Sequence, residues 1–143
     1  MLGIAITAAV DEVVFHQLLS WHHFFDRSTP DISLLSDLLP QTAHLVLLVT
    51  GFFWFADLRR RGTLARRSAW ATFVLGLGAF QLFDGIVDHK LLDLHEIRYG
   101  VDVLSYDLAW NGAALVLLLV GTFLVWRFRD EGRTSADEPA GGR

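Results

Sequence analysis

Four long apolar runs constrain this chain more than any other feature of its sequence: Leu2 to about Phe24, Leu38 to Ala56, Ala69 to Val87 and Leu108 to Trp126. Each of the last three holds about nineteen mostly apolar residues, close to the roughly twenty a helix needs to cross a hydrocarbon core. Strands with open edges would leave backbone groups unpaired in lipid, so the runs predict spanning helices. The expected fold class is all-α: a polytopic membrane protein with four transmembrane helices forming a four-helix bundle. A composition that is 52% hydrophobic, with mean hydropathy +0.39, agrees with that expectation. The first run lacks a basic leader region and carries Asp11 and Glu12 at its centre, so it reads as a retained helix rather than a signal peptide.

Charge sets the expected topology. Arg59, Arg60, Arg61, Arg66 and Arg67 crowd the connection between the second and third runs, and Arg127, Arg129 and Arg133 follow the fourth. The positive-inside rule makes both segments cytoplasmic. Both termini are then cytoplasmic, the loops 25–37 and 96–107 are extracytoplasmic, and the bilayer is that of a plasma (inner) membrane. The tail 130–143, rich in Gly, Ser, Glu and Pro, is expected to be disordered and cytoplasmic. A net charge of −4 and the absence of a basic patch with interleaved aromatics exclude nucleic acid as a partner. With no cysteine, a metal could be held only by His, Asp or Glu.

Ionisable residues inside apolar runs are costly and usually functional. Here they repeat. Asp11-Glu-Val-Val-Phe-His-Gln-Leu-Leu-Ser-Trp-His22 and Asp84-Gly-Ile-Val-Asp-His-Lys-Leu-Leu-Asp-Leu-His95 share the skeleton D-x-(V/I)-V-x-H-x-L-L-x-(W/L)-H. The following runs also align, from Asp37 to Gly51 over Asp107 to Gly121. One domain over 1–129 is therefore expected, as two tandem two-helix repeats, about 1–61 and 66–129. Repeats with an even number of spans share an orientation, which predicts a pseudo-two-fold axis along the membrane normal. The first helix has no counterpart to the first turn of the third: either its cytoplasmic end is short or the sequence begins late relative to the repeat.

All six histidines fall in the expected outer half, where imidazole and carboxylate suit zinc, copper, iron or, less readily, haem. The expected metal ligands are His16, His89, Glu12, Asp84, Asp11, His22 and His95. On an ideal helix Glu12 and His16 stand one turn apart and could meet an ion with His89, whereas Asp11 and His22 lie about 16 Å apart on one face. His16 and His89 are accordingly expected at the centre, with His22 and His95 in an outer layer. His23, His44, Asp88 and Glu96 are expected in the second shell or outer layer, His44 mainly as a packed side chain. Hydrogen bonding of these groups across the bundle merely to fix helix packing is the competing explanation.

The blocks Asp11 to His23 with its Trp-His-His ending, Phe83 to Lys90 and Arg98 to Asp102 resemble DUF2243, a family of small bacterial predicted membrane proteins catalogued as a domain of unknown function. The resemblance implies a four-helix inner-membrane protein and supplies no catalytic residues. Three functions stay open: metal binding in the bundle, membrane-embedded metal-dependent hydrolysis, and a scaffold or assembly subunit with a hydrogen-bonded polar core. The bilayer is the expected partner, with other membrane subunits or a second copy of the chain as further candidates. A proton relay is disfavoured, because the inner halves of the helices carry no ionisable residue.

Overall fold

The computed structural model describes residues 1–137, with side chains described through Asp130. Among the described residues all regular secondary structure is helical, with no strand. The order is α1 (Leu2–Asp11) continuing into a π-helical segment (Glu12–Leu18), α2 (Pro30–Ser36), α3 (Leu38–Arg60), α4 (Arg66–Phe83) continuing into a second π-helical segment (Asp84–Leu91), and α5 (Val103–Asp137). Among the described residues three helices are long and apolar enough to cross a membrane: Pro30–Arg60, Arg66–Leu91 and Val103–Asp130. The first helix stops at Leu18, well short of the expected Phe24, and is shorter than those three. The loop expected over 25–37 contains α2, and α5 carries the helix past Asp130 to Asp137. The remaining tail residues, 138–143, lie outside the described residues.

Polarity is inverted relative to a water-soluble domain. The buried apolar residues are Ala5, Ala8, Ala71, Ile97 and Ala114, whereas Asp11, Glu12, His16, His22, Asp37, Asp84, Asp88, His89 and His95 are all buried. Leucines, valines, Phe52, Phe53, Trp54, Phe123 and Trp126 face outward. Such an exposed apolar surface is stable only against lipid or another apolar body.

Small residues bring the helices together. A Cβ on Gly76 would stand 3.1 Å from the Ile4 nitrogen, and one on Gly3 would strike the Phe73 carbonyl, so α1 and α4 touch backbone to backbone. The side chain of Leu2 fills the space above Gly51, and the backbone of Leu75 lies above Gly121. Gly78 likewise admits the α5 backbone at Ala114 and Leu118. Close approach of this kind substitutes dispersion for the hydrophobic effect that lipid removes.

Both π-helical segments end alike. Leu19 N donates to Val14 O (2.9 Å) and Leu92 N to Val87 O (2.8 Å), the five-residue closure of a π turn. Trp21 N then donates to Phe15 O (2.9 Å) and Leu94 N to Asp88 O (3.0 Å). Ser20 (φ 48°) and Asp93 (φ 51°) take the left-handed conformation and reverse the chain. Each loop therefore folds back over its own helix end, and the two loops form a cap over the bundle.

Candidate metal centre

The π-helical turns decide which side chains meet. On an α-helix Asp11 and His16 would point about 140° apart. In an i→i+5 turn residues five apart stack, and Asp11 Oδ2 lies 3.6 Å from His16 Nε2. The same spacing places Asp84 Oδ2 3.4 Å from His89 Nε2. The reversals at Ser20 and Asp93 then return His22 and His95 to the helix ends, where His22 packs on His16 and His95 on His89, each pair with ring centroids 4.6 Å apart. His22 and His95 stack on each other at 4.5 Å, 8° from parallel.

This arrangement overturns the expected layering. His22 and His95 occupy the centre, His16 and His89 flank them, and no ring contact joins His16 to His89. The assumption that failed was a straight α-helix through His22. His95 Nε2 lies 3.9 Å from Asp84 Oδ1, so the acid and the second histidine share a layer after all.

Hydrogen bonds across the cap fix the central rings. His22 Nδ1 donates to the Ile97 carbonyl (2.9 Å), and His95 Nδ1 donates to the Phe24 carbonyl (3.0 Å). A carbonyl only accepts, so each Nδ1 carries the proton and each Nε2 keeps its lone pair. Both rings are buried, His22 3% and His95 1% exposed, where an uncompensated charge is costly and the neutral ring is favoured. The Nε2 atoms of His16, His22, His89 and His95 are all buried without a hydrogen-bond partner among the described residues.

The loops clasp each other around these rings. Asp26 N donates to Leu94 O (3.0 Å), Arg27 pairs with Asp93, and the Arg98 guanidinium lies 4.7 Å from the Trp21 ring centre. Arg98 also donates to the Tyr106 hydroxyl (2.6 Å).

Asp37 is a residue of the site that sequence reasoning missed. It stands just before α3 in αR geometry, makes no side-chain bond to the helix end, and is buried. It accepts from His16 Nδ1 (3.0 Å), His23 Nδ1 (2.7 Å) and Phe24 N (2.7 Å). Its alignment with Asp107 was the available signal. Asp107 instead pairs with Lys90, while its Oδ1 and His89 Nδ1 have no partner among the described residues. Glu12 approaches His16 Nδ1 (3.1 Å), and Gln17 donates to Glu12 (3.1 Å).

Among the described residues three groups bring one potential ligand atom per residue within 4.8 Å of one another: His16, His22 and His95; Asp84, His89 and His95; and Glu12, His16 and Asp37. The third is a hydrogen-bonded network around His16 Nδ1. The first two share His95 and make a continuous imidazole cluster. His23 bonds Asp37, the Glu96 backbone N–H donates to the Tyr99 hydroxyl, and neither residue belongs to one of the three groups. Asp88 and His44 are buried and belong to none of the three groups.

A protein-family profile described as Predicted membrane protein (DUF2243) matches residues 1–128. No curated protein and no solved structure matches the chain.

Proposed function

The chain belongs to the DUF2243 family of predicted membrane proteins, and on that premise we propose that it binds a transition metal ion through His16, His22, His89 and His95, with Asp11 and Asp84 at the flanks. One observation carries the reading: four buried imidazoles linked ring to ring, each with an Nε2 that makes no hydrogen bond among the described residues. Buried polar atoms in native proteins are nearly always paired. Four unpaired in one place call for a common partner, and neutral imidazole nitrogen is a ligand for zinc, copper or iron. The backbone acceptors behind His22 and His95 supply the orienting contacts that ligating histidines ordinarily have.

An ion fits better than haem, because rings 4.5–4.6 Å apart leave no slot for a macrocycle between them. Ligand side chains only 1–4% exposed favour a closed centre over a hydrolase, which needs an open position for water and substrate. The recurrence of the π turns, the left-handed reversals and the His–carbonyl bonds at an offset of 73 residues supports a tandem duplication. In this reading the first helix, with its cap loop, is a fourth span of an inner-membrane bundle. The arginine-rich ends are cytoplasmic and the histidine cap extracytoplasmic.

Metal analysis of the protein purified in mild detergent tests the proposal. We expect a stoichiometric first-row transition metal, lost on His22→Ala or His95→Ala and kept on His23→Ala. A protein that carries no metal and acquires none after incubation with zinc, copper or iron salts would overturn it.

A further inference from the structure

At the end of the bundle opposite the histidine cap, a cavity of about 670 Å³ opens between α1, α3 and α4. Its walls include Trp54, Phe55, Leu58, Trp70 and Phe73, and Arg59 and Arg66 stand among them. A second cavity of about 490 Å³ shares Leu2 and Phe55 with the first and continues along α1 and α3 past Ile6, Phe52 and Leu48, lined by apolar side chains alone. From Arg59 to Leu48 along α3 is about 16 Å. The two cavities thus make one track, cationic at the helix ends and wholly apolar toward the bilayer interior.

The two arginines are the cations of this segment that face the cavity. Asp57 takes Arg60 (3.0 Å) and Arg61 (2.7 Å). Among the described residues no carboxylate lies within ion-pair range of Arg59 or Arg66. Two guanidiniums over an aromatic-walled apolar channel, at headgroup depth, match a ligand with an anionic head and a long hydrocarbon tail. We infer that this track is a binding site for one anionic phospholipid of the surrounding bilayer, its phosphate on Arg59 and Arg66 and one acyl chain laid between α1 and α3.

The inference is independent of the metal centre and stands or falls on lipid selectivity. Native mass spectrometry of the detergent-purified protein, titrated with phosphatidylglycerol and with phosphatidylcholine of the same chains, reads it directly. The anionic lipid should bind about thirty-fold more tightly, from two arginines near the headgroup plane. Arg59→Gln/Arg66→Gln should erase that preference. Arg60→Gln/Arg67→Gln, which removes the same charge from the same segment outside the cavity, should keep it. Ile6→Trp, which fills the apolar groove, should weaken the long-chain lipid and spare a six-carbon analogue. Circular dichroism establishes that each variant folds. Equal affinity for the two lipids, equal loss in both double variants, or displacement of the lipid by millimolar inorganic phosphate would each overturn the assignment.

Discussion

Asp37 shows how one side chain holds the cap to the bundle. Its two oxygens collect two imidazole donors and a backbone amide from the loop and helix end of the first half, all within 3.0 Å. Removing the carboxylate strands those donors in a buried site, which costs about 3 kcal/mol when a buried charged partner is lost. Asp107 occupies the aligned position but holds only the half-exposed Lys90, a pair worth about 1 kcal/mol or less. Asp37→Ala should therefore lower the melting temperature in detergent well beyond Asp107→Ala. Equal shifts would show that the Asp37 network is not what fixes the cap. The residue types of the site were legible in the sequence, because an acid and two histidines in an apolar run need a reason. Their partners were not, since they are set by backbone carbonyls at Phe24 and Ile97 that leave no trace in side-chain pattern.

The three long helices were legible from apolar run length, whereas α2 and the helix ends at the cap were not. An ideal 3.6-residue period carries His22 about 16 Å beyond Asp11. The π turns and the positive φ at Ser20 and Asp93 break that period just where the polar residues begin. Neither Ser nor Asp marks a left-handed residue as glycine would, so the reversal carried little signal. Glycine marks the helix contacts, where α4 meets α1 at Gly76 and α5 at Gly78. Two glycines on α5 give a matched test. A Cβ on Gly121 would sit 2.6 Å from the Leu75 backbone, whereas Gly112 has nothing within 4 Å. Gly121→Ala should destabilise by about 1–3 kcal/mol through overpacking between α4 and α5. Gly112→Ala should be neutral or stabilise by about 0.5–1 kcal/mol, since alanine restricts the unfolded chain more than glycine does. A thermal or denaturant melt of the two variants in one detergent separates these outcomes. Comparable melts would mean that the α4–α5 contact is softer than its backbone spacing implies.

At the scale of the whole molecule, the imidazole cluster and the cap make the two halves dependent on each other. His22 from the first half bonds a carbonyl of the second, and His95 from the second bonds a carbonyl of the first. An ion held among these rings would add a cross-link that exists only in the folded state. Ligand binding confined to the native protein stabilises it by about 2.7 kcal/mol at a hundred-fold excess over Kd. The added metal should therefore raise the melting temperature of the wild-type protein, and His22→Ala and His95→Ala should each abolish the rise, because each half supplies one of the two central rings. His44→Ala should retain the rise, since His44 stands outside the cluster. Melting curves with and without metal, taken on all four proteins, read the coupling separately from any fall in stability that the substitutions themselves produce. A rise surviving in one of the two central variants would place the ion within a single half. The reciprocal cap bonds would then be a device for joining the halves, with no part in holding metal.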